Sequence, residues 1–211
     1  MSTPLAHIVD DDEAIRDALI WLFRTREVAS AEWSSAEEFL AAWQPEWRGC
    51  IVLDIRMREM SGLECFDVLQ EQGNTLPVIF LTGHGDVPMA VSALKKGAFD
   101  FLEKPFEDNA LVDVVIRALA KDAKRQASQA SQASVANHLA LLTPREQEVM
   151  NLVLAGKFNK VIADELSISM RTVEVHRARV FEKMGVRSAV ELAQLLAPSR
   201  DKGSGSDSGE H

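Results

Sequence analysis

Carboxylates crowd the end of one apolar run and recur at the end of another. HIVDDDEAIR (7–16) leads Ile8-Val9 straight into Asp10, Asp11 and Asp12, and CIVLD (50–54) ends in Asp54. Adjacent acids repel one another and resist burial. PVIFL (77–81) runs into Thr82-Gly83, and FDFLE (99–103) into Lys104-Pro105. This set has a chemistry. Clustered carboxylates are tolerable around a hard dication, and Mg²⁺ prefers carboxylates, carbonyls and water. One carboxylate can then attack a phosphoryl group. Mg²⁺, an ammonium and a hydroxyl would hold the phosphoryl oxygens and neutralise developing charge. Asp54, expected on a central strand, is the natural nucleophile. Asp12 faces away if Asp10 and Asp11 converge, and suits the cap of a helix starting near Glu13.

These groups meet only if the right elements carry them. Strand-like runs at 5–10, 27–33, 50–54, 77–81 and 99–103 alternate with helical stretches near 13–25, 35–44, 62–72 and 86–96, and a fifth helix follows Pro105. Such alternation predicts βαβ units, hence an α/β fold with a doubly wound, five-stranded parallel sheet. Short continuous apolar runs fit strands buried on both faces. Open α/β sheets bind ligands at the carboxyl ends of their strands, beside the switch in strand order. That edge collects Asp10, Asp11, Asp54, Thr82 and Lys104. Acids at strand ends often only cap the next helix, but the complete set argues for a site. A phosphatase using a strand-end Asp and Mg²⁺ would want a second Asp two residues on, where Arg56 stands.

With Asp10-Asp11, Asp54 in VLDIRM, Ser61-Gly62, Thr82-Gly83 and Lys104-Pro105 in EKPF, residues 1–120 resemble the receiver domain of two-component response regulators, a flavodoxin-like fold. The stretch LTGHGDVPMAVSALKKGAFDFLEKPF resembles the FixJ-like branch. The resemblance implies that Asp54 accepts phosphate from a sensor histidine kinase. It implies Mg²⁺ on Asp11, Asp54 and the Arg56 backbone carbonyl, with Asp10 helping through water. Lys104 would pair with the phosphate, Thr82 would move toward it, and Phe101 takes the aromatic switch position. Arg56 and His84 occupy positions that tune phosphate loss in that family; the alternative is two exposed loop side chains. One departure stands out. The fourth residue after the acceptor, usually proline, is Arg58, which frees the loop and adds positive charge.

Residues 139–197 are a succession of helical patterns without strands. LTPREQEVMNLVLAG (142–156) opens with a capping box, Thr143 to Glu146, with Pro144 at the first helical position. Its stripe is Val149, Leu152 and Val153, and Gly156 suits the end. A short helix from about Lys160 to Leu166 precedes Ser169, which caps MRTVEVHRARVFEKMG (170–185). A last helix runs from Ser188 to about Ala197. A short helix, a tight turn and a basic helix read as a helix-turn-helix. Val173, His176, Val180 and Met184 should face the core. Arg171, Glu174, Val175 and Ala178 should face a major groove, where Glu can accept from a cytosine amino group and Val can touch a thymine methyl. Lys160, Thr172, Arg177, Arg179 and Lys183 read as phosphate contacts. Through TPREQEV, NKVIADELSIS and RTVEVHRARVFEKMGVRS this half resembles the NarL/FixJ (LuxR-type) DNA-binding domain.

The linker 121–138, KDAKRQASQASQASVANH, shows no apolar face, and coil and helical extension both remain open for it. The tail 198–211 lacks core residues and reads as disordered. Residues 1–120 hold 10 basic and 21 acidic side chains, residues 121–197 hold 11 and 8, so a polyanion belongs with the second half. No run of about 18 apolar residues exists. With no secretion signal in view, the expectation is a cytoplasmic protein with no membrane partner, in which Cys50 and Cys65 are buried free thiols. The expected function is a phosphorylation-switched DNA-binding regulator, not an enzyme, pairing as a homodimer when phosphorylated. By resemblance it acts on RNA polymerase as an activator. The alternative is a phosphorylation-independent transcription factor whose receiver is only a dimerisation platform.

Overall fold

The computed structural model describes residues 3–83 and 87–197. His84 and the tail 198–211, each given an expectation above, lie outside them. The described residues fall into two compact units, one reaching Ala127 and one starting at Ser128.

The first unit alternates strand and helix: β1 Leu5–Val9, α1 Glu13–Thr25, β2 Ser30–Trp33, α2 Ala36–Ala42, β3 Gly49–Asp54, α3 Gly62–Glu71, β4 Val78–Thr82, α4 Val87–Lys95, β5 Asp100–Glu103 and the first part of α5 Asp108–Ala140, whose residues from Ser128 onward belong to the second unit. All strand pairs are parallel, in the order β2-β1-β3-β4-β5. Strand order therefore reverses between β1 and β3, which opens a crevice at their carboxyl ends. Side chains alternate across each strand. Ala6, Ile8, Cys50, Val52, Ile79 and Leu81 pack under α1 and α5, while Val9, Ile51, Leu53, Val78 and Phe80 pack with Phe39, Cys65, Phe66 and Leu69. Both faces of the central strands are thus covered, which is why they are apolar without a break.

Both cysteines are free and buried, one on each side of the sheet. Burial pushes each thiol up to about 12, with Asp122 adding to the shift at Cys50 and Glu37 at Cys65. His7 is buried between Trp33 and Trp47, parallel to the Trp47 ring at a centroid distance of 4.4 Å. The Trp33 indole N–H donates to its Nδ1 at 3.4 Å.

The open question of 121–138 resolves as helix: those residues lie within α5. The start of that segment also belongs to the first unit. Asp122 is buried and accepts from the Gly49 amide at 3.0 Å, from Arg48 Nε at 3.5 Å and from Arg125 Nη2 at 2.7 Å. A composition scan misses this, because a buried acid with three donors looks like any surface acid in sequence.

The second unit contains α6 Pro144–Leu154, α7 Asn159–Leu166, α8 Met170–Met184 and α9 Ala189–Leu196. Thr143 and Glu146 form the full capping box, and Ser169 and Ser188 cap α8 and α9. Val149, Val153, Ile162, Val173, Val180, Met184 and Leu192 form its core, with Leu152 packed against it.

Candidate phosphoryl-acceptor and nucleic-acid-binding sites

Asp10 follows β1 and Asp54 ends β3, so the two acids stand side by side at the strand-order switch. Both are buried, and Asp11 beside them is partly exposed. Carboxylate oxygens of Asp10, Asp11 and Asp54 lie within 4.8 Å of one another. Lys104, just past β5, reaches across: its Nζ donates to Asp10 Oδ2 at 2.9 Å and to Asp54 Oδ1 at 2.6 Å. The Arg56 amide donates to Asp54 Oδ2 at 2.9 Å. Burial pushes the Asp54 carboxyl above the usual carboxylate range, against the pull of Lys104. Burial works against the Lys104 charge too, but Asp54 and Asp10 outweigh it and its pKa rises. Three carboxylates offering only oxygen fit a hard divalent cation.

The surroundings hold this geometry. Asp12 accepts from the Ala14 amide at 2.9 Å and caps α1, as its position predicts. Thr82, fully buried at the end of β4, donates to the Gly83 carbonyl, and the Lys104 amide donates to the Thr82 carbonyl. The Lys104–Pro105 bond is cis. Phe101 on β5 is half-buried against the Phe66–Phe80 side of the core. Three supports escaped the sequence reading. Arg16 Nη1 donates to the Asp10 carbonyl at 2.8 Å. Glu37 Oε1 accepts from the Met60 amide at 2.9 Å and ties down the loop after Asp54. Gly62 packs so closely that a Cβ there would stand 2.1 Å from the Asp54 carbonyl oxygen. Only the Ser61-Gly62 pairing hinted at the last. Arg58 lies on the same loop, exposed, with its Nε 3.2 Å from Asp11 Oδ2.

In the second unit, Ser167 turns left-handed after α7 and Ser169 starts α8 two residues on. Arg171, Glu174, Val175, Ala178 and Arg179 are exposed along α8, as is Lys160 on α7. Thr172 is half-buried, with its hydroxyl 2.8 Å from that of Ser169. Arg177 donates to Asn159 Oδ1 at 2.7 Å and lies over the Phe181 ring, joining the two helices. Lys183 is committed inward: Nζ donates to Glu146 Oε2 at 2.7 Å and to the Leu141 carbonyl at 3.1 Å. The expected phosphate contact at Lys183 therefore meets a side chain already engaged in the fold. Lys183 and the Thr143 amide hold Glu146 down to about 2. Val173, Val180 and Met184 are buried as expected, and His176 is half-buried.

These features define a class: a parallel α/β domain with a strand-end acidic pocket, followed by a helix-turn-helix domain. Residues 6–116 match the response regulator receiver domain family, and residues 140–196 match the luxR family of bacterial regulatory proteins. The chain is 50% identical over 191 residues to the C4-dicarboxylate transport transcriptional regulatory protein DctR of Rhodobacter capsulatus, covering 90% of this chain and 97% of that protein. It is 43% identical over 200 residues to the transcriptional regulatory protein FixJ of Azorhizobium caulinodans, covering 92% and 95%. Among solved structures, the response regulator StyR matches with a TM-score of 0.85 at 40% identity, covering 92% of this chain and 98% of that one. Full-length FixJ from B. japonicum matches with a TM-score of 0.59 at 40% identity, covering 92% and 96%.

The chain belongs to the NarL/FixJ-type response regulators, with a receiver domain and a LuxR-type DNA-binding domain. It is a transcription regulator and not an enzyme. Among the described residues, no helix is long and apolar enough to cross a membrane.

Proposed function

We propose that this regulator is switched by phosphorylation of Asp54 and acts in the cytoplasm on transcription. The observation that carries the reading is the Lys104 ammonium, whose Nζ is held between Asp10 and Asp54 beside Asp11. An Asp54 oxygen attacks the phosphorus of a phosphohistidine on a sensor kinase, and the histidine nitrogen leaves. Asp11, Asp54 and the Arg56 carbonyl would hold Mg²⁺, with Asp10 helping through water. When bound, Mg²⁺ neutralises charge on the transferring group. Lys104 pairs with the phosphate and Thr82 hydrogen-bonds it. Arg56 and His84 tune how long it lasts.

The acyl phosphate carries about −1.5 to −2 of charge where the carboxylate carried about −1, so it adds roughly −0.5 to −1 and three acceptor oxygens to a buried site. Thr82 and Phe101 shift in response, which reshapes the face carried by α4 and β5, and two receivers pair about a two-fold axis. The paired second units place Arg171, Glu174, Val175 and Ala178 against base edges. Lys160, Thr172, Arg177 and Arg179 contact phosphates, in half-sites about 34 Å apart or less. Activation through RNA polymerase follows.

The test treats wild type and Asp54→Asn with Mg²⁺ and acetyl phosphate, then reads intact mass and light scattering. A phosphate-sized gain with dimerisation in wild type alone is expected. The same mass and association state in both proteins, with acetyl phosphate and with a partner kinase, would favour a phosphorylation-independent factor whose receiver is a dimerisation platform.

A further inference from the structure

Arg58 is the residue of the site for which the family pattern offers no role. It stands four positions after Asp54, on the loop between β3 and α3. Its side chain is 87% exposed, and that of Asp11 is 24% exposed. A guanidinium this exposed has little packing to steer it, yet its Nε lies 3.2 Å from Asp11 Oδ2. The three clustered acids thus divide between two cations. Lys104 serves Asp10 and Asp54, and Arg58 serves Asp11.

This arrangement sets up a competition. Asp11 is a carboxylate that Mg²⁺ needs, and Mg²⁺ accepts little distortion of its octahedral shell. A guanidinium on the same carboxylate occupies that oxygen and repels a dication at close range. Lys104, which pairs with the phosphate in the proposed function, stays useful once metal and phosphate arrive. Arg58 does not: its present partner is a metal ligand. Resting on the reading of these acids as an Mg²⁺ site, we infer that Arg58 is a resident counter-ion that Mg²⁺ must displace from Asp11. Arg58 thereby sets the Mg²⁺ concentration at which Asp54 becomes competent to accept phosphate. A proline at this position would leave Asp11 free for the metal.

The experiment measures Mg²⁺ affinity of the full chain by calorimetric titration, with no phosphodonor present. Wild type is compared with Arg58→Gln, Arg58→Pro, Asp11→Asn and the Asp11→Asn/Arg58→Gln double variant; thermal unfolding confirms that each is folded. Arg58→Gln and Arg58→Pro should both bind Mg²⁺ more tightly, by about two- to tenfold, the scale of an exposed ion pair plus short-range repulsion. The gap should shrink between about 50 mM and about 500 mM NaCl, because the rim pair is screened. It should be smaller when Asp11 is already Asn, where only the repulsion between Arg58 and the dication remains. Equal affinity in wild type and both Arg58 variants, with Asp11→Asn still weakened, would overturn the inference and leave the metal site standing. Tightening by Arg58→Pro alone would also overturn it, since that result would reflect the loop backbone and not the charge. No difference between wild type and Asp11→Asn would remove the metal site itself, and the inference with it.

Discussion

Gly62 shows how little room the acceptor strand leaves. Its backbone φ is ordinary, but a Cβ there would meet the Asp54 carbonyl oxygen at 2.1 Å, and its amide donates to the Ile55 carbonyl at 3.0 Å. Gly73 is the opposite case, with φ at +76° and open space around it. Gly73→Ala should cost about 1 kcal/mol for the left-handed backbone alone. Gly62→Ala should cost more, about 2–4 kcal/mol, because backbone must shift and the loop beside Asp54 with it. Urea unfolding followed by tryptophan emission decides the order. If Gly73→Ala is the more damaging, the close approach at Gly62 is unimportant. At this scale the acids, Thr82 and Lys104 were legible because strand ends follow from the apolar runs, and strand ends share one edge. Arg16, Glu37 and the Arg58–Asp11 pair were not. Each joins a long side chain to a group that only the folded crossover brings near.

At the scale of elements, helix starts were the clearest signals. Thr143, Ser169 and Ser188 all accept from amides three residues on. Glu146 does double duty that no local pattern reveals. It closes the box at Thr143 and receives Lys183 from α8. Gln can still close a capping box, whereas Ala cannot. Glu146→Gln should therefore lose only the α6–α8 ion pair, and Glu146→Ala both contacts. Glu146 has its pKa depressed, so the stability it adds is present above its ordinary 4.5 and is lost as pH falls toward about 2. Thermal melts of the second unit should rank wild type above Glu146→Gln above Glu146→Ala at pH 7. Wild type and Glu146→Gln should draw together as pH falls below about 4.5 and converge only at about 2. A gap that persists there would assign the effect to packing. The segment 121–138 was half legible: its Ala and Gln favour helix, but nothing local marks Asp122 as the buried anchor at Gly49.

For the whole molecule, the two-part plan was readable from charge and pattern alone. An acidic α/β half and a mildly basic helical half differ in both period and sign. Less visible was a titratable group deep in the sheet. Burial holds His7 down to about 4, against an ordinary 6.5. The folded chain keeps His7 neutral across that interval while the unfolded chain takes up a proton. Stability is therefore lost as pH falls from about 6.5 to about 4, by at most about 3 kcal/mol from this residue. His7→Phe fills the same aromatic stack without titrating. Its stability, compared with wild type by urea unfolding at pH 7 and pH 4.5, should gain relative to wild type in acid. Parallel pH curves for the two proteins would remove His7 as the source.

Cys50 and Cys65 sit under opposite faces of one sheet, both protonated and shielded from solvent. Neither sulfur can meet an alkylating reagent until the layer above it lifts. The protein thus carries two independent timers. Modification of Cys50 clocks the lifting of α1 and α5, and modification of Cys65 clocks the lifting of α2 and α3. Labelling kinetics under native conditions would say which side of the receiver breathes first, and whether filling the acidic pocket slows one timer and leaves the other running.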